Sequence, residues 1–183
     1  MKKINLANFR LVRCVAGSRL SKVLLLATLG AAVIALATPP LGFILNQTLA
    51  KGVITSNINE NVQITRDQDG TVNPWGAEVQ AHGATDFYMQ HLVLAPGGYS
   101  GWHSHPGILI GTVTSGSIDF YDQNCNKKTV NAGDVYFETG TAHGIANSGS
   151  VNADLSISYL IKHNAPRRLE ENAPSCAVNT PIP

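Results

Sequence analysis

His103-Ser104-His105 follows the glycine-rich segment Pro96 to Gly101 and Trp102, and a further histidine, His143, comes later in the chain. Successive side chains of an extended strand point to opposite faces, so residues two apart share a face, and His103 and His105 can turn both imidazoles onto one ion. A third imidazole from another strand would complete three nitrogen donors. Such a set suits a divalent transition metal: iron, manganese, zinc, nickel and copper all accept it, and donor type does not select among them. Glu138, shortly before His143, is a candidate for a fourth ligand, although strand alternation need not aim it inward. His91 shares strand parity with Phe87, Met89 and Val93, which makes it the other candidate for the fourth ligand or the pocket, against the alternative of a hydrogen-bonded core histidine. Trp102, Phe120, Tyr136 and Tyr159 are candidates for a pocket mouth or for plain core. No residue stands out as a general acid or base beside the histidines, so no catalytic residue is assigned.

The elements that must position these groups read as strands. From Gly52 to Ile161 short β-type runs are punctuated by Gly, Asn, Asp and Ser, with no amphipathic helical pattern of useful length. Leu155 to Ile161 is apolar at every second position, the pattern of a strand with one face on a core. Asp86 to Ala95, Leu109 to Thr114, Ser117 to Asp122 and Val135 to Glu138 are the other clear strands. Thr114-Ser115-Gly116-Ser117 reads as a tight hairpin turn and Asn131-Ala132-Gly133-Asp134 as a second turn. Between Leu49 and Trp75 the reading places strands around Val53 and Val62 to Ile64, with a turn at Asp67 to Gly70. Many short antiparallel strands at this spacing imply a sandwich or a jelly-roll barrel. The tail from Ala165 carries Pro166, Pro174, Pro181 and Pro183 and is expected to be irregular.

Two motifs within this region resemble the cupin superfamily of small jelly-roll barrels. Gly97, His103, His105 and Gly116 match the first cupin motif, and Gly133, Gly140, His143 and Asn147 match the second, with its usual proline absent and its Gly133-to-His143 interval one residue short. The resemblance covers about Asp86 to Ile161. Ala95 to Gly98, Gly101 to Gly107, Tyr121-Asp122 with Cys125, and a last cysteine in the tail are more narrowly similar to exported single-domain cupins. The resemblance implies an all-β, cupin-type jelly-roll barrel with metal on His103, His105 and His143. It also exposes a gap: the positions where the family places its motif glutamate hold Leu109 or Ile110. Three neutral imidazoles alone would leave the charge of a dipositive ion uncompensated and a coordination position open, so bound water would be acidified and small anions attracted. Asn147 is expected to pin the turn after His143 rather than touch a ligand.

Lys2, Lys3, Arg10, Arg13, Arg19 and Lys22 precede the uncharged apolar run Val23 to Ala37, and Ala35-Leu36-Ala37 has the form of a signal-peptidase site. A cleaved export signal over residues 1–37, with an N-terminal helix, is one reading. An uncleaved membrane anchor extending through Leu45 is the other, with Pro39 and Pro40 interrupting it. Both place the remainder outside the cytoplasm, periplasmic or secreted in the first case and tethered in the second, with membrane contact only through this segment. Taking those six positive charges from the whole chain's formal +1 leaves the exported part at −5, which argues against nucleic acid as a partner. Lys127-Lys128 and Arg167-Arg168 read as solvated surface pairs. Cys14 lies in the leader, so Cys125 and Cys176 are an even pair in an oxidising compartment and are expected to form a disulfide that is the tail's chief tether.

The expected organisation is therefore a leader (1–37, or to 45 as an anchor), lead-in strands (38–84), the barrel core (85–164) and a Pro-rich tail (165–183). The barrel would hold a divalent ion with a small molecule at the open positions. Oxygenase-type or isomerase-type catalysis, non-catalytic binding of a metal or small ligand, and a barrel with an empty, degenerate site all remain open at this point. Cupins often pair through edge strands, so a homodimer is compatible with the fold.

Overall fold

The computed structural model describes residues 37–183. Twelve strands follow one another: β1 Leu41–Ile54, β2 Ile58–Arg66, β3 Val72–Ala81, β4 Thr85–Tyr99, β5 His103–Ser104, β6 Gly107–Ser115, β7 Ser117–Tyr121, β8 Lys127–Asn131, β9 Val135–Glu138, β10 Gly144–Ala146, β11 Ala153–Lys162 and β12 Leu169–Glu170, before a short 3-10 turn at Ser175–Asn179. An eight-stranded, nearly closed antiparallel sheet runs β8-β7-β10-β4-β11-β6-β9, with β1 also paired to β4. Sheet curvature closes this layer around one core, as in a jelly roll.

Period-two alternation explains the core. Along β11, Ala153, Leu155, Ile157, Tyr159 and Ile161 are buried in register with Leu109 and Val113 of β6 and Leu92 and Leu94 of β4. Each fully buried Leu or Ile is worth roughly 1.5–3 kcal/mol of transfer free energy, so this interior seam is the barrel's main stabilising element. On β4 the buried parity is Gln90, Leu92 and Leu94, and the opposite parity that carries His91 faces outward. Gly116 joins β6 to β7 at φ 71°, where a side chain would also run into the carbonyl of Asn152, so the hairpin needs glycine there.

Three expectations change. Leu41 to Leu45, attached in the anchor reading to a longer apolar span, is the start of β1 and pairs with β4. The segment 38–84 is more ordered than its sequence signals: β2 and β3 form a separate two-stranded sheet in register from Ile58↔Ala81 to Arg66↔Val72. The tail is not held by Cys176 alone, because β12 pairs with β5 and Ile182 is fully buried beside Trp102. The cysteine expectation stands: Cys125 and Cys176 are at bonding distance, with Cα atoms 6.0 Å apart. The leader and the export or anchor readings lie outside the described residues, among which no helix is long and apolar enough to cross a membrane.

Candidate metal centre

Three strand fragments converge to build the site. His103 opens β5, His105 follows it, Glu138 ends β9, and His143 immediately precedes β10. His103 and His143 face each other in a reciprocal backbone pair, His103 N to His143 O at 2.9 Å and His143 N to His103 O at 2.8 Å, which fixes the two Cα positions across the barrel mouth. His103, His105, Glu138 and His143 each offer a ligand atom, and these atoms lie within 4.8 Å of one another with every residue buried.

The rings are oriented by their outer nitrogens. His103 Nδ1 donates to Gly101 O at 3.1 Å, His143 Nδ1 to Thr141 O at 2.7 Å, and His105 Nδ1 to Arg167 O. With each Nδ1 committed as a donor to a carbonyl, each Nε2 carries its lone pair toward the centre, the arrangement that metal-binding histidines use. His105 Nε2 then faces Glu138 Oε2 at 2.9 Å and His143 Nε2 faces the same oxygen at 3.4 Å. Lone pairs at these distances repel unless a proton or a metal cation lies among them. His143 Nε2 is also a buried polar atom with no hydrogen-bond partner among the described residues. A divalent cation on three nitrogens and one carboxylate oxygen meets both demands, so the residues present fit a metal.

Electrostatics agree with this geometry. Burial pushes His103 down to about 3, so its ring is neutral and available as a ligand at physiological pH. Burial acts to raise Glu138, but the hydrogen bond with the His105 ring and the nearby His143 ring outweigh it and keep the carboxyl ionised, well below the ordinary range. For His143, burial favours the neutral ring, yet the Glu138 carboxylate facing it raises it overall, so positive charge is favoured at this point.

The carboxylate missing from the first motif is supplied by the neighbouring strand. Glu138 on β9 is the register partner of Leu109 on β6, one of the two positions where the cupin motif carries its glutamate. Partners across an antiparallel ladder project to the same face, so Glu138 reaches the centre that a glutamate at 109 would have reached. The three-histidine set read from the motifs thus becomes a cluster of three histidines and Glu138, whose carboxylate could offset part of an ion's charge.

The other candidates divide. Tyr136 and Tyr159 line a cavity of about 170 Å³ that also reaches His103, His105 and Glu138. Tyr159 donates to Gln90 Oε1, and Gln90 in turn donates to Asn46 Oδ1. Phe120 stacks on His143 at 5.7 Å between ring centroids and supports the ligand from behind. Trp102 belongs to a second core cluster with Tyr121, Ala146, Ala177 and Ile182, and its indole N–H points to Ile182 O. His91 is not at the centre: its outward parity takes it to Asp154 Oδ1 at 2.7 Å. Asn147 is buried, donates to Leu94 O and Val151 O, and accepts from Gly149 N, which pins the turn after His143. Arg167 and Arg168 correct the reading of a solvated pair, because both line the cavity. Their sole sequence signal was two arginines after Pro166, and their placement depends on the path of a tail whose tethers are non-local.

Residues 90–159, which span all four groups, match the family model described as Cupin domain. The match and the nearly closed all-β sheet support the cupin superfamily. No curated protein sequence matches the chain. Among solved structures, the chain is similar to an oxalate oxidase at 25% identity, over 46% of this chain and 45% of that one, with a TM-score of 0.40. It therefore spans less than half of that protein's length. A "predicted oxalate decarboxylase" from Thermotoga maritima is 25% identical over 44% of this chain and 82% of its own, TM-score 0.37. An uncharacterised Klebsiella pneumoniae protein with a double-stranded β-helix domain is 22% identical over 64% of this chain and 86% of its own, TM-score 0.41.

Proposed function

We propose, for a chain whose residues 90–159 match a cupin domain, that the barrel holds one divalent transition-metal ion on His103, His105, Glu138 and His143 and works on a small molecule in the adjoining cavity. The observation that carries this is the common orientation of the three imidazoles, each Nδ1 tied to a backbone carbonyl, with the Nε2 atoms of His105 and His143 turned to the one ionised carboxylate. A bound ion there would supply Lewis acidity or redox chemistry to a ligand at its open positions. The chain's own groups orient and enclose. The Tyr136 and Tyr159 phenols are both pushed above their ordinary range by burial, so each stays protonated and serves as a donor, not as a base. That observation also favours a second reading, retention of a metal and small ligand without turnover, since no cavity residue outside the ligand set is poised to move protons near neutrality.

Elemental mass spectrometry of the purified protein and of His103→Ala and His143→Ala tests the centre. Near-stoichiometric transition metal that disappears in both variants is the expected result, and unchanged metal content in His103→Ala sinks the assignment. Export is part of the same proposal, supported by the basic-then-apolar leader and by the Cys125–Cys176 pair. Intact mass of the protein recovered from outside the cytoplasm should show a chain beginning near residue 38. Recovery of the uncut chain in membranes would instead support the anchor, and confinement of the uncut chain to the soluble cytoplasm would refute export.

A further inference from the structure

Arg167 reaches the cavity from the tail and is held there rigidly. Its guanidinium carbon lies 5.2 Å from the ring centroid of Tyr88 and 5.8 Å from that of Tyr159, and Nη1 donates to Thr48 Oγ1 at 3.1 Å. Its backbone carbonyl is the acceptor that orients His105. The neighbouring Arg168 is neutralised by two hydrogen bonds to the Glu170 carboxylate. Arg167 has no carboxylate partner among the described residues. Two aromatic rings near the guanidinium can hold its charge without taking its N–H donors, and beyond the Nη1 bond to Thr48 these remain for a carboxylate.

Tyr136 makes an independent second observation. It lines the same cavity, is 4% exposed, and its hydroxyl has no hydrogen-bond partner among the described residues. An unmet buried hydroxyl costs on the order of 1–3 kcal/mol, so a ligand atom that accepts from it is favoured. Gly111, its register partner on β6, leaves the space this ring needs: a side chain there would overlap the ring and its hydroxyl.

Charge and size narrow the ligand. Glu138 and Arg167 cancel, as do Arg168 and Glu170, so a dipositive ion leaves the lining at a net +2 and anions are drawn in. The cavity, about 170 Å³, equals the share of only five or six waters at roughly 30 Å³ each and lies below the common range of about 300–1,000 Å³ for ligand sites. Phe43, Leu92, Ile145 and Ile157 give part of the remaining wall, beside the polar Asn46, Gln90 and Ser100, an apolar surface suited to a short carbon chain.

We propose that the cavity selects a small carboxylic acid as its anion, with the carboxylate bound by the Arg167 guanidinium and the Tyr136 hydroxyl. This rests on the metal-centre reading, because without the ion Glu138 offsets Arg167. Calorimetric titration of the metal-loaded protein with acetate and propionate, against acetamide as the neutral isostere and inorganic phosphate as the competing anion, is the test. Metal content and melting temperature are measured on every sample. Carboxylates should bind and acetamide should not. Arg167→Gln should weaken carboxylate binding roughly 10- to 100-fold and Tyr136→Phe about 10-fold, as loss of a hydrogen bond to a charged group predicts. Arg167→Lys should fall between, since it keeps the charge and loses the fork. All variants should keep their metal, and Tyr136→Phe should not lower the melting temperature, since it removes a hydroxyl that lacks a partner among the described residues. Carboxylate affinity unchanged in Arg167→Gln and Tyr136→Phe, or acetamide or phosphate binding as tightly as acetate, overturns the assignment while the metal centre stands. A wild-type protein that takes up no metal fails at the earlier step and removes both.

Discussion

Leu109 and Glu138 face each other across β6 and β9, and the exchange of side-chain type between them is what preserves a carboxylate in the centre. Directly paired residues have Cβ atoms roughly 4.5–5.5 Å apart on one face, a distance that a glutamate side chain spans. Glu138→Leu should therefore weaken metal binding by more than the roughly 10- to 100-fold seen when only an outer supporting partner is lost. Adding Leu109→Glu in that background should restore a substantial part, because the carboxylate returns from the opposite strand to the same buried face. Competition titration with a metal-sensitive chelator reads both steps. A double variant as poor as Glu138→Leu would show that Glu138 acts by its own backbone position and that the cross-strand argument is wrong.

At the scale of elements, β4 and the turn after β11 are joined through Asp86. Its carboxylate is buried, accepts from His163 Nδ1 at 2.7 Å, from Asn164 N at 3.3 Å and from Tyr88 Oη at 3.4 Å, and lies 3.8 Å from Lys51 Nζ of β1. The His163 hydrogen bond is the largest influence on this carboxyl and holds it below its ordinary value. A depressed acid contributes stability above its unfolded pKa of about 3.9 and loses it as pH falls through the lower folded value. Asp86→Asn should therefore be less stable than wild type at neutral pH, with the gap closing below about pH 4, and denaturant melts at a series of pH values check it. A gap that stays constant through that window would assign the effect to packing instead. A second consequence of strand pairing concerns Gly111→Ala, which overlaps the Tyr136 ring and should cost roughly 1–3 kcal/mol of stability by overpacking, visible in the same melts. These strands also mark how far the sequence could be read. β4, β6, β7, β9 and β11 follow from alternation and turn residues, because one buried face writes period two into the chain. β2 and β3 are exposed along most of their length and left only a weak pattern. His103, His105 and His143 were legible because two share one strand face and motif spacing supplies the third. Glu138 needed the β6–β9 register to be certain, His91 followed the wrong parity because Phe87 and Met89 face outward with it, and Arg167 depended on non-local tethers that no local pattern records.

Those tethers act on the whole molecule. The tail crosses the mouth of the barrel, pairs β12 with the histidine strand β5, and is pinned by Ser104 Oγ donating to Glu171 Oε1 at 2.6 Å. Beyond that point Ala177 and Ile182 bury themselves against Trp102 and Tyr121, and Cys176 is bonded to Cys125 in the turn before β8. One end of the chain thus carries both cavity arginines and the carbonyl that orients His105, while the crosslink ties it to the turn between β7 and β8. Closing a loop of 51 residues restricts the unfolded chain by about 4 kcal/mol in the entropy model. Cys125→Ser with Cys176→Ser should lower global stability by up to that amount. Hydrogen exchange should also accelerate in residues 165–183 before it does in β4, β6 and β11, because the central strands keep the apolar seam whereas the tail loses its covalent tether. Metal retention separates two roles for the tail. Glu138 and His143 owe their places to barrel strands and turns, and His103 is held by His143 as well as by β12, so loss of metal in the uncrosslinked variant would mean that the tail is needed to present His105 and His103. Retained metal with weakened carboxylate binding would mean that the barrel makes the centre and the tail makes its selectivity. The geometry favours the second outcome, since the reciprocal His103–His143 pair and the β6–β9 register place three of the four groups through contacts within the barrel.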